Sequence, residues 1–150
     1  MKKIITILVS VVLVMSIFTV INKSNNGCAT VYVDYGKLNN GLKETKCIDI
    51  YGSTDALSLL SKANYIIEGT REYGQAVVCR VNGLPDKSVE SCDVMPPAKA
   101  YWAVIIKKNQ TVPLIPNEWG WAQKGINETY LSPGDKIGLV FSTEEEVRWP

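Results

Sequence analysis

Residues 29–36 read ATVYVDYG, which puts Val31 and Val33 on one side of an extended backbone and Tyr32 and Asp34 on the other. Such period-two alternation predicts a half-buried strand. The following KLNNGL carries Asn-Asn-Gly, a hairpin signal. KETKCIDIYG then returns as a second strand, with Cys47, Asp49 and Tyr51 opposite Ile48 and Ile50. The period changes in GSTDALSLLSKANY, where Ala56, Leu57, Leu59, Leu60 and Ala63 form one apolar stripe at helical spacing. Ser53 or Thr54 is expected to cap this helix, Asp55 suits its positive end, and Asn64 is expected to end it.

The rest of the pattern is β. YIIEGTREYG and QAVVCRVNGLP read as short strands, with Asn82-Gly83 as a turn. AYWAVIIKKNQ is a strong strand, and the run Val104, Ile105, Ile106 predicts burial on both faces. NEWGWAQKGINETYL is less regular. SPGDKIGLVFS is a turn built on Pro133-Gly134-Asp135 followed by a closing strand. Hairpin, helix and further strands, in that order, predict an α+β layer with one helix across a mixed sheet.

One segment fits neither period. Ile4 to Ile21 is uncharged and apolar; as a helix it would extend about 27 Å, close to the hydrocarbon thickness of a bilayer. Lys2 and Lys3 precede it and only Lys23 follows closely, which places the N-terminus in the cytoplasm and the rest outside. The residues that follow, NKSNNGCA, put the small-residue site Gly27-Cys28-Ala29 far from the apolar run, so an uncleaved signal anchor is preferred to a cleaved signal peptide. The expected organisation is a leader and linker over 1–27 and an exported domain over 28–150, held at the cell membrane by residues 4–21, or secreted if the leader is removed.

Export gives the cysteines a meaning. Cys28, Cys47, Cys79 and Cys92 are an even set without a C-x-x-C pair, which in an oxidising compartment reads as disulfides. Four cysteines allow three pairings. Cys28–Cys47 and Cys79–Cys92 are preferred because each closes a short loop, and the first hairpin brings Cys28 toward the far half of its partner strand.

Composition narrows the chemistry. Setting aside Lys2 and Lys3 leaves 14 basic residues against 15 acidic ones, without the basic surplus of a nucleic-acid binder. There is no histidine, which removes the commonest general base and zinc ligand. No phosphate-binding glycine loop is present. Arg80, Asp86, Glu90 and Asp93 surround the loop between Cys79 and Cys92, but their spacing matches no calcium loop. A non-enzymatic protein with no required metal or cofactor is expected.

The ordered segments TVYVDYG, STDALSLLSKANY, YGQAVVCRVNGLP, AYWAVII and YLSPGDKIGLVF, spanning Thr30 to Ser142, resemble a bacterial exported-domain family similar to the C-terminal domain of transcobalamin and intrinsic factor. The resemblance implies a β-grasp-like fold, a sheet wrapped around one helix. In the vitamin carriers such a domain covers one face of cobalamin, so a corrinoid is the ligand it implies here. The matching motif is Tyr101-Trp102 at the start of its strand.

Four aromatic residues are the candidate ligand contacts: Tyr101, Trp102, Trp119 and Trp121. Strand geometry splits Tyr101 from Trp102, while Trp119 and Trp121 share a side if their stretch is extended. The stapled loop and Pro96-Pro97 would hold the approach to Tyr101 rigid. Two functions follow: a small-ligand module at the cell surface, or a module that contacts a surface protein through the same aromatic edge.

Overall fold

The computed structural model describes residues 26–97, 100–109, 118–143 and 149–150. The expected anchor at 4–21 lies outside them. Among the described residues no helix is long and apolar enough to cross a membrane.

The architecture is mixed α+β, mostly strands with one α-helix. Strands β1 (Asn26–Asp34) and β2 (Lys43–Tyr51) form the expected antiparallel hairpin. The turn between them uses positive φ at Asn39, Asn40 and Gly41, the residues of the Asn-Asn-Gly signal. Helix α1 (Ala56–Lys62) follows the short β3 (Thr54–Asp55). Its cap is Asp55, whose carboxylate accepts the Ser58 N–H at 2.8 Å; the helix begins at Ala56, so the cap falls at Asp55 and not at the expected Ser53 or Thr54. Asn64, at φ 62°, ends the helix as its left-handed residue, and Tyr65 N–H closes back on the Leu60 carbonyl at 3.0 Å.

The remaining strands are β4 (Ile67–Thr70), β5 (Gly74–Val81), β6 (Tyr101–Lys107), β7 (Gly120–Trp121), β8 (Tyr130–Leu131) and β9 (Lys136–Ser142). The main sheet runs β2-β1-β9-β6-β7. β1 and β9 are parallel neighbours near its centre, and its other pairs are antiparallel. β4 and β5 form a separate hairpin, and β3 pairs with β8. Asn82 and Gly83, both at positive φ, make the tight turn after β5. Ser132 to Asp135 close a turn with Pro133 second and Gly134, at φ 88°, third, as a type II turn requires.

The two faces of the sheet carry two apolar clusters. On the helix side, Val31 and Val33 of β1, Leu139 of β9 and Trp102 of β6 pack with Leu59 and Leu60 of α1. Full burial of each such leucine stabilises by about 2 kcal/mol. On the opposite side, Ala103, Ile105 and Val140 are buried under Tyr32, Tyr101 and Trp119. Gly138 sits beneath them, and a Cβ there would fall 2.7 Å from Ile105 Cγ1 and 3.4 Å from Trp119 Cζ3.

Both preferred disulfides are present, Cys28–Cys47 and Cys79–Cys92. Cys47 lies opposite Thr30, two places from Cys28 on the same side of β1, so the first bridge crosses the hairpin diagonally.

Candidate functional site

The loop between Cys79 and Cys92 is organised by a buried cation. Arg80, 3% exposed, donates from Nε to the Pro85 carbonyl at 2.9 Å, from Nη1 to Glu68 Oε2 at 3.0 Å, and from Nη2 to the Glu90 carbonyl. A guanidinium is suited to this because its planar fork serves several acceptors at once. Asp86 accepts from the Ser88 N–H and hydroxyl, and Glu90 from the Cys92 N–H. Arg80, Asp86 and Glu90 are therefore engaged in shaping the loop. Val89, Val94 and Met95 are left exposed on its outside.

Beyond that loop an open cleft of about 800 Å³ runs between β5 and β6. One wall is Ala76 to Val78 of β5; the other is Tyr101 to Val104 of β6. Met95 and Pro96 border it, as does the segment from Trp121 to Gly125. That segment is pinned at both ends. Ala122 N–H donates to the Val104 carbonyl at 3.0 Å, and a Cβ on Gly125 would lie 2.6 Å from the Ala76 Cα. Lys124 is the one charged residue among the described residues that line the cleft.

The four aromatic candidates are distributed unevenly. Tyr101, Trp102 and Trp121 border the cleft and Trp119 does not. Trp102, 4% exposed, packs edge-on against Tyr35 and Phe141 at 5.5 and 5.4 Å, and its indole N–H donates to the Leu84 carbonyl at 3.0 Å. Its ring therefore belongs to the core. Trp121 is 44% exposed and meets Trp149 edge-to-face at 5.9 Å. Trp119 instead covers the far face of the sheet, 6.4 Å from Tyr32.

Beside Trp119, Tyr32 donates its hydroxyl to Asp34 at 3.1 Å, and Lys43 reaches the same carboxylate at 2.8 Å. Burial, then the Asp34 charge, pushes the Tyr32 phenol up. Burial alone would also raise Asp34, but hydrogen bonds from Lys43, the Gly36 N–H and Tyr32 outweigh it and hold the carboxyl below its usual value.

Arg80, Lys124 and Trp149 belong to these sites although pattern reading does not single them out for these roles. Arg80 is visible in sequence only as one of several loop charges, and Lys124 and Trp149 lie in stretches without clear periodicity. Compared with known proteins, the chain matches no family model and no curated protein.

Proposed function

We propose that the chain is a non-enzymatic, extracytoplasmic module that holds a small apolar-faced ligand, of the corrinoid class, in the cleft between β5 and β6. The observation that carries this reading is the cleft itself. Its volume of about 800 Å³ lies within the usual range for small-molecule sites, and apolar walls with a few polar groups are their usual lining. An open cleft suits a ligand contacted on one face only.

Two further observations support the reading. The mixed sheet, with an N-terminal hairpin, a helix, and first and last strands parallel at the centre, suits a β-grasp reading. This is the fold implied by resemblance to the C-terminal domain of transcobalamin and intrinsic factor. The two disulfides suit an oxidising space outside the cytoplasm, with residues 4–21 as the membrane anchor.

The test is a titration of the full chain in detergent micelles with cobalamin and with cobinamide, followed by tryptophan fluorescence. A saturable change is expected below tens of micromolar. Trp121→Phe should remove most of it, and Trp119→Phe should leave it. No saturable change, or a response that follows Trp119, overturns the reading.

A further inference from the structure

Four consecutive residues of β6, Tyr101 to Val104, border the cleft. Side chains alternate between the faces of a strand, so four in a row reach one cleft only along its backbone edge. The hydrogen bonds identify that edge. β7 pairs with β6 at Ile105↔Trp121 and Ile106↔Gly120, and the Ala122 N–H continues the line to the Val104 carbonyl. In an antiparallel ladder, alternate residues turn their N–H and C=O to the same side. Val104 and Ile106 face β7, so Trp102 turns its N–H and C=O the same way. Continued by two places, the register would set Lys124 opposite Trp102, but β7 ends at Trp121 and the chain crosses to Ala76. Among the described residues no strand pairs with Trp102 on that side.

We infer that this edge accepts an extended segment of a partner protein as a short added strand, apolar at alternate positions and carrying one acidic residue. The Trp102 N–H and C=O supply backbone hydrogen bonds of the kind that drive strand addition. Met95, Pro96 and Trp121 offer apolar surface to alternate side chains of the guest. Lys124, the only charge among the described lining residues, complements a carboxylate and not a second cation. An open strand edge is otherwise a liability to aggregation, and a dedicated guest relieves it. The inference goes beyond the small-ligand reading and uses the same cleft, so the two guests exclude each other.

The test uses the full chain in detergent micelles, panned without corrinoid against a displayed library of hexapeptides randomised at every position. Enriched sequences are expected to alternate apolar residues around one Asp or Glu. The strongest, synthesised and added to the isotope-labelled chain, should slow amide exchange at Trp102 by about tenfold or more. Tyr101 and Ala103, whose amides face β9, should exchange unchanged. Methylating the peptide nitrogens that face β6 should abolish binding, and Lys124→Glu should weaken it by about threefold. No enrichment, binding that leaves Trp102 exchange unchanged, or tolerance of the methylated nitrogens overturns the inference. Because no corrinoid is present, a null corrinoid titration beside a protected Trp102 sinks the small-ligand reading alone, and the reverse result sinks this one alone.

Discussion

Glu68 and Arg80 are directly paired across the β4–β5 hairpin, and Glu68 Oε2 lies 3.0 Å from Arg80 Nη1. The guanidinium end is buried and the carboxylate end is partly open to solvent. The pair is more than a surface bridge because the same guanidinium holds the Pro85 and Glu90 carbonyls, so one side chain ties the hairpin to the loop it leads into.

Arg80→Lys keeps the charge but loses the fork, leaving at least one buried carbonyl without its donor. The expected cost is about 2 kcal/mol in denaturant unfolding, together with faster proteolysis of the loop between Cys79 and Cys92. A change below about 0.5 kcal/mol, the range of ordinary surface substitutions, would show that the loop holds without Arg80.

Removing either disulfide restores freedom to the unfolded chain at a cost of about 3 kcal/mol. Cys79 and Cys92 are both buried, whereas Cys47 is exposed. The Cys79→Ala/Cys92→Ala double variant should therefore lose about 1 kcal/mol more than Cys28→Ala/Cys47→Ala, whose strands stay paired over the whole of β1 and β2. Equal losses in matched urea titrations would count against a packing role for the second bridge.

Gly138→Ala places a methyl group 2.7 Å from Ile105 Cγ1 in a filled part of the sheet and should destabilise by about 1–3 kcal/mol. Ile105→Ala on that background should cost less than it does alone. A double-mutant cycle is expected to give a coupling of at least about 0.5 kcal/mol, and additive effects would place the strain elsewhere.

Asp34 determines part of the acid stability. Its carboxyl is held below the ordinary value near 4, so its contribution is present above that value and is lost as pH falls through the depressed one. Asp55 shifts the same way, burial being outweighed by its hydrogen bonds from Ser58. Stability should thus fall as pH drops from about 5 toward 3, and Asp34→Asn should flatten that slope without removing it. An unchanged slope in Asp34→Asn would mean that Lys43 and Gly36 hold the carboxylate no better than water does.

Much of the fold is legible in sequence because its cues are local. Alternation marked β1 and β2, Asn-Asn-Gly and Asn82-Gly83 marked turns, and Pro133-Gly134-Asp135 marked the turn before β9. The helix stripe was equally plain, with Ala56, Leu59, Leu60 and Ala63 buried as spacing required. The cap was misplaced because the helix starts only after Thr54 and Asp55 have paired with Leu131 and Tyr130, contacts distant in sequence that local rules do not register. The separation of Trp119 from Trp121 was out of reach for the same reason: spacing of two suggests a shared side, but their surroundings are Tyr32 in one case and the cleft with Trp149 in the other.

The sequence by itself determined the element types, the turn positions and the preference for two short cystine loops, since each depends on residues close along the chain. Only the tertiary structure decided that β1 lies parallel to β9, that Arg80 is the buried tie of the stapled loop, and that among the described residues no strand pairs with β6 at Trp102 on the β7 side. Those features arise where distant strands meet, and backbone hydrogen bonding carries no mark of its partner in the residues that make it.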